Sequence, residues 1–171
     1  MMTFDMENIA VVALPNMRVA SYEVTSGEPE QTAIAFVENW LKGKGLKAGE
    51  NGVRNFGFDC HKGRDIPKGC RIYHVYYSVP ENVEGDSEVA VKAFAGGNFA
   101  RLVVTNPFAG DFPAGWGMLL RWVFDNGLEN RLGCVSPEDC YSLFSNEDTP
   151  CLEEIYFENG VQYMALYLPV K

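Results

Sequence analysis

The spacing of apolar residues switches between two periods in a regular order along the chain. Residues 6–14 (MENIAVVAL) and 17–25 (MRVASYEVT) read as strands separated by a Pro15-Asn16 turn. Ala33, Phe36, Val37, Trp40 and Leu41 then recur at helical spacing. They predict a helix over about 29–44, ended by Gly43 and Gly45. Thr25 and Glu28 stand before it at capping-box spacing. A short strand from Asn55 to Asp59 follows, then a charged loop carrying Pro67 and a longer strand to Val79. PENVEGD at 80–86 is a turn-rich joint. Glu88 to Phe94 and Asn98 to Thr105 read as strands, with Gly96-Gly97 between them signalling a hairpin. Asp111 to Gly115 leads into a second helix. Ser136-Pro137-Glu138-Asp139 has the form of an N-cap, a proline at the first helical position and an acidic first turn, which predicts a short helix over about 137–144. A last hairpin covers 152–158 and 162–170, turning at Glu158-Asn159-Gly160.

This order contains a repeat. FVENWLKGKGL at 36–46 matches MLLRWVFDNGL at 118–128, pairing Trp40 with Trp122, Gly45 with Gly127 and Leu46 with Leu128. The closing strands match as RIYHVYYSV at 71–79 and QYMALYLPV at 162–170. A strand-helix-strand-strand unit is therefore expected twice, at about 17–80 and 97–170, within a single domain spanning residues 1–171. The fold class is α+β: two pseudo-symmetric repeats forming an antiparallel sheet with two main helices on one face. Two such copies ordinarily meet about a pseudo-two-fold axis, and that seam is a natural place for a ligand.

Composition narrows the functional classes. The chain has 171 residues, 47% hydrophobic and 13% aromatic, enough for a sizeable core. Its 14 basic and 23 acidic residues leave a formal charge of −9, which argues against unaided nucleic-acid binding and favours attraction of cations. No apolar run approaches the roughly 20 residues of a membrane helix. No signal-peptide pattern is present, so the expected location is the cytoplasm. The odd cysteine count (Cys60, Cys70, Cys134, Cys140 and Cys151) points to reduced thiols. Cys60, His61, Cys70 and His74 lack a CxxC knuckle, and adjacent Cys60 and His61 point to opposite faces if extended, so no metal site and no cofactor is expected. No GxSxG, P-loop or GxGxxG occurs in context. His61 and His74 have no Ser or Cys partner signalled by spacing.

Strand alternation sorts the last hairpin into two faces. Glu153, Ile155 and Phe157 share one, and Leu152, Glu154 and Tyr156 the other. In the final strand Met164, Leu166, Leu168 and Val170 read as core, with Tyr163, Ala165 and Tyr167 opposite. The matching strand of the first repeat contributes Tyr73, Val75 and Tyr77, expected to share the tyrosine side of the sheet. A carboxylate among tyrosine rings suits an apolar cation, because charge and ring faces both attract it. Alternation alone leaves this ligand-binding reading level with another, an exposed tyrosine stripe with Glu154 in water.

PEN-EG at 80–85, GGNFA at 96–100, Trp116 opening the second helix, PCLEEIYFENG at 150–160 and ALYLPV at 165–170, in this order and with the duplication, resemble the GyrI-like (gyrase-inhibitor-like) small-molecule-binding family. That family includes effector-binding domains of multidrug-responsive transcription activators. The resemblance covers nearly the whole chain. It implies a ligand site at the junction of the repeats, with a Glu-x-Tyr pattern on the penultimate strand that falls on Glu154 and Tyr156. Trp116 and Tyr167 match family aromatics. Tyr73, Tyr77 and Tyr163 join them as expected ring faces. Many relatives carry Arg-x-Asp where this chain has Arg71, Ile72 and Tyr73. The family's DNA-binding domain has no counterpart here, so regulation is expected to proceed without direct DNA reading. The leading expectation is a stand-alone binding protein for amphipathic, often cationic, aromatic small molecules, rather than an enzyme. Two alternatives come with the family: a hydrolase of strained-ring DNA-alkylating compounds using Glu154 as an acid-base group, and a protein inhibitor of DNA gyrase. Gyrase or a transcriptional protein is then a possible partner, with no direct nucleic-acid or membrane contact.

Overall fold

The computed structural model describes residues 1–61, 63–140 and 144–171. These contain nine strands and three α-helices, and the chain divides into two compact units. The first unit is Pro15–Gly96; the second combines Met1–Leu14 with Gly97–Lys171. Strand pairing within each is antiparallel, giving the expected α+β class.

The first unit runs β3 (Met17–Ser26), α1 (Pro29–Gly43), β4 (Asn55–Asp59), β5 (Arg71–Ser78) and β6 (Ala90–Phe94). Its strands lie in the order β4-β5-β3-β6. Ala33, Val37, Trp40 and Leu41 of α1 bury against Ala20, Tyr73, Val75 and Tyr77 of the sheet. The helix begins without the expected capping box. Thr25 remains in β3, the N-cap is Glu28, and no side chain caps the first turn. Pro29 at the first helical position has no N–H to satisfy, which lowers the need for a side-chain cap.

The second unit contains β1 (Thr3–Phe4), β2 (Ala10–Leu14), β7 (Gly97–Thr105), α2 (Ala114–Asp125), α3 (Pro137–Cys140), β8 (Leu152–Glu158) and β9 (Val161–Pro169). β9 lies between β8 and β7, and β1 and β2 share the other edge of β7. Trp116, Leu119, Leu120 and Val123 of α2 bury against Ala100, Leu102, Val104, Leu166 and Leu168. Asn159 and Gly160 form the β8–β9 turn with φ of 51° and 79°, the left-handed pair that a two-residue hairpin loop requires. Ser136 Oγ accepts from the Asp139 N–H at 3.3 Å, the expected cap of α3. The expected continuation to residue 144 runs into 141–143, outside the described residues.

The repeated Trp-x4-Gly-Leu sequence has one physical meaning in both units. Leu46 N–H donates to the Leu41 carbonyl and Gly45 N–H to Lys42. Leu128 N–H donates to Val123 and Gly127 N–H to Phe124. These are two Schellman helix ends, with Gly45 (φ 73°) and Gly127 (φ 64°) in the left-handed conformation. Leu46 and Leu128 then pack against the clusters under their own helices.

Three further expectations differ from the structure. β6 and β7 do not form a hairpin around Gly96-Gly97: β6 pairs with β3, while the two edges of β7 are taken by β9 and by β1 and β2. Residues 6–14 are not one strand, because Met6–Asn8 form a 3-10 turn before β2. The thiols are not all reduced: Cys134 and Cys140 form a disulfide with Cα atoms 5.3 Å apart. Such a bridge depends on the local path of the chain, which a cysteine count does not carry.

Trp40 ties α1 to the 80–89 loop. Its indole N–H donates to Asp86 Oδ2 at 2.6 Å. Together with the Glu88 and Val89 backbone N–H groups and the Lys44 charge, it holds the Asp86 carboxyl at about 2, below its ordinary 3.8. A carboxyl depressed in the folded state adds stability above its unfolded pKa, and that stability is lost as pH falls through the folded value. The gap in thermal midpoint between the native chain and Asp86→Asn should therefore shrink between about pH 4 and 2. A gap that is constant over that window would show that Asp86 contributes nothing through its charge.

Candidate functional site

The β8–β9 hairpin pairs Glu154 with Ala165, Tyr156 with Tyr163 and Leu152 with Tyr167. Cross-strand partners share a face, so Glu154, Tyr156, Tyr163 and Tyr167 are brought together on the side away from α2. The Tyr167 hydroxyl donates to Glu154 Oε2 at 2.6 Å. Tyr156 and Tyr163 stack with centroids 5.3 Å apart and planes 16° from parallel. Tyr167 meets Phe99 edge-on at 6.1 Å. Glu154 is only 6% exposed and Tyr167 2%, so this is not a stripe of solvated side chains. Burial raises the Tyr156 hydroxyl pKa; the Arg101 charge opposes that shift, and the charges of Glu154 and Glu158 add to it. Phe99 and Arg101 on β7 lie opposite Pro169 and Tyr167 and join the same face. Neither was foreseen, because no motif links β7 to this hairpin.

Other expected site residues lie elsewhere. Trp116 is on the helix side: it packs in the α2 core, meets Phe144 edge-on at 5.1 Å and donates its indole N–H to Glu153 Oε1 at 3.4 Å. Adjacent Glu153 and Glu154 thus point to opposite faces, as the alternation requires. Phe157, on the Glu153 and Ile155 face facing α2, is nonetheless 70% exposed at the hairpin end.

Tyr73 and Tyr77 are on the face opposite to the one expected. Both are buried in the core beneath α1, and the Tyr77 hydroxyl donates to Glu38 Oε1 at 3.4 Å. Burial, and then the Glu38 charge, push the Tyr77 hydroxyl pKa well up. The side of β5 away from α1 carries Ile72, His74 and Tyr76. There Tyr76 packs against Phe58, His74 and Phe94. The strand match already held this information: aligning 71–79 with 162–170 sets Tyr76, not Tyr77, against Tyr167. Arg71, noted for its lost Arg-x-Asp partner, pairs instead with Glu30 and, at 3.6 Å, with Asp59.

A second polar group forms on the Tyr76 side of the first unit. Glu23 on β3 is the register partner of His74, and Ser21 that of Tyr76. His74 Nε2 lies 2.7 Å from Ser21 Oγ and His74 Nδ1 3.8 Å from Glu23 Oε2. Cys60 Sγ donates to Glu23 Oε2 at 3.4 Å, and Arg64 Nη2 holds Glu23 Oε1 at 2.6 Å. Burial raises the Glu23 carboxyl pKa, but hydrogen bonds from Arg64 and Cys60, with the Arg64 and His74 charges, leave it below its ordinary value. His74 therefore has both Ser and Cys neighbours, brought to it by strand pairing rather than by sequence spacing.

No family model matches the chain, and no curated protein does. Solved structures do. The EcmrR C-terminal domain aligns over 100% of this chain and 98% of its own, with a TM-score of 0.62 and 12% identity. A hydrolase from Listeria innocua covers 95% of this chain and 91% of its own at a TM-score of 0.57 and 15% identity. SAV2435, solved with bound tetraphenylphosphonium, covers 96% and 94% at a TM-score of 0.51 and 12% identity. The chain has their fold. That agrees with the GyrI-like resemblance, and at such identities the likeness establishes fold alone. Among the described residues, no helix is long and apolar enough to cross a membrane.

Proposed function

We propose that this chain is a GyrI-like binding protein for amphipathic, often cationic, aromatic small molecules, with Glu154 as the charge that receives them. The observation carrying this reading is a carboxylate 6% exposed, held by the Tyr167 hydroxyl beside the Tyr156–Tyr163 stack. In such a setting the charge and the ring faces attract a lipophilic cation together, and water screens the attraction less than it does at a surface. The fold of a protein solved with tetraphenylphosphonium supports the same class of ligand.

The test is calorimetric titration with tetraphenylphosphonium and with tetraphenylborate, an anion of nearly the same shape. The cation should bind in the micromolar range, about −8 kcal/mol, and the anion far more weakly. Glu154→Gln should cost about 2 kcal/mol of cation binding, the scale of losing a charged partner, while Glu153→Gln stays near native. Equal affinity for cation and anion removes Glu154 from recognition. Loss confined to Glu153→Gln moves the site to the α2 side.

A hydrolase reading uses the same residues. The Tyr167 hydroxyl, 2.6 Å from Glu154, would be its proton partner, and a Listeria innocua hydrolase shares the fold. Incubation with a strained-ring electrophile distinguishes the two: catalytic turnover lost in Glu154→Gln supports hydrolysis, and unchanged compound supports binding.

A further inference from the structure

We propose that Glu23, Cys60 and His74 form a binding site for one thiophilic divalent cation of the zinc class. The three groups come from separate segments: Glu23 from β3, His74 from β5 and Cys60 from just beyond the end of β4. One ligand atom from each lies within 4.8 Å of the others. Cys60 Sγ is 3.4 Å and His74 Nδ1 3.8 Å from the same oxygen, Glu23 Oε2. In a tetrahedral zinc shell, bonds of about 2.3 Å to sulfur and 2.0–2.1 Å to nitrogen or oxygen set neighbouring donors roughly 3.3–3.6 Å apart. The two edges at Glu23 Oε2 lie within a few tenths of an ångström of this spacing, and the Cys60–His74 edge, within 4.8 Å, would close by up to about 1.2 Å as the side chains turn onto the ion.

The surroundings favour ligation over a simple hydrogen-bond cluster. His74 Nε2 lies 2.7 Å from Ser21 Oγ, and with Nε2 donating there Nδ1 would be the nitrogen left to take an ion beside Glu23. Metal-bound imidazoles are commonly oriented in this way through their other nitrogen. Phe58 stacks on the same ring, with centroids 5.2 Å apart. Arg64 holds Glu23 Oε1 at 2.6 Å through Nη2 and reaches Oε2, the oxygen shared by Cys60 and His74, only at 3.5 Å through Nη1. Cys60 and His74 are buried, whereas the Glu23 side chain is 29% exposed, which gives an ion and a fourth, water ligand a way in. One sulfur, one nitrogen and one oxygen suit zinc or cobalt and exclude the oxygen-seeking magnesium and calcium. On binding, the Cys60 thiol proton leaves to solvent, and thiolate and carboxylate together balance the two positive charges.

The experiment is a Co2+ titration of the intact chain without thiol reductant, which preserves the Cys134–Cys140 disulfide, followed by Zn2+ competition. One equivalent of Co2+ should give thiolate-to-metal charge-transfer absorption, bleached by one equivalent of Zn2+. Cys70→Ser and Cys151→Ser should keep the band. Cys60→Ser should abolish it, and Ser21→Ala should weaken binding about tenfold. His74→Gln, judged folded by circular dichroism, should also abolish it and replaces Cys60→Ser as the test if that variant does not fold. No charge-transfer band in the native chain, or a band that survives unchanged in Cys60→Ser or His74→Gln, overturns the proposal. Neither result bears on tetraphenylphosphonium binding at Glu154.

Discussion

Trp116→Ala is expected to destabilise the protein by about 3–5 kcal/mol, the usual cost of emptying a buried tryptophan site. Trp116 is 8% exposed at the start of α2, sits in the cluster with Leu119, Leu120 and Leu166, and is met edge-on by Phe144. Truncation to alanine removes these contacts and also leaves Glu153 without its indole donor. In a chain of this size the thermal midpoint should fall by about 10 °C. The family resemblance makes Trp116 a ligand residue, and the two roles separate cleanly. A core residue loses stability in the ligand-free protein and is largely rescued by phenylalanine. A ligand-stacking residue leaves the midpoint nearly unchanged and loses tetraphenylphosphonium affinity. A midpoint within a degree or two of native would refute the core assignment.

Gly57→Ala is expected to cost about 3 kcal/mol, although it adds a single methyl group. Gly57 lies in β4 opposite Val75, and the Tyr73 side chain crosses directly over it. A β-carbon at this position would fall inside the van der Waals surface of the Tyr73 hydroxyl and ring. Tyr73 is 6% exposed beneath α1 and has no open space into which to swing. Overpacking of this kind forces backbone shifts or off-rotamer side chains. Denaturant unfolding should show a lower midpoint with an unchanged slope. Tyr73→Ala removes the obstacle, so Gly57→Ala should cost much less in that background. If the two changes add independently, the ring is not what demands glycine at position 57.

The two faces of β9 were legible from sequence because they differ in character. Met164, Leu166 and Leu168 alternate with Tyr163, Ala165 and Tyr167, and the Asn159-Gly160 turn sets the register that places Glu154 with the tyrosines. β5 offers no such contrast. Tyr73, Val75 and Tyr77 alternate with Ile72, His74 and Tyr76, and both sets are apolar enough to bury. Alternation separates the sets without saying which one meets α1, and a one-residue error moves every side chain to the other face. Tyr73 and Tyr77 were misplaced for that reason. The pairing of β6 with β3 instead of β7 escaped because a glycine pair signals a turn locally but does not say which strand edge is available to pair.

By itself, the sequence determined what is local. The bounds of α1, the two Schellman ends at Gly45 and Gly127, the Ser136 cap and the β8–β9 hairpin all follow from contacts among residues a few positions apart. Only the tertiary structure decided the burial of Glu154 beside Tyr167, the retreat of Trp116 into the α2 core, and the meeting of Glu23, Cys60 and His74. Burial depends on what packs above a face, and Glu23 reaches Cys60 and His74 across 37 and 51 residues of chain through strand pairing. Hydrophobic period carries the direction in which a side chain points along its own strand, and nothing about the identity of the strand that arrives beside it.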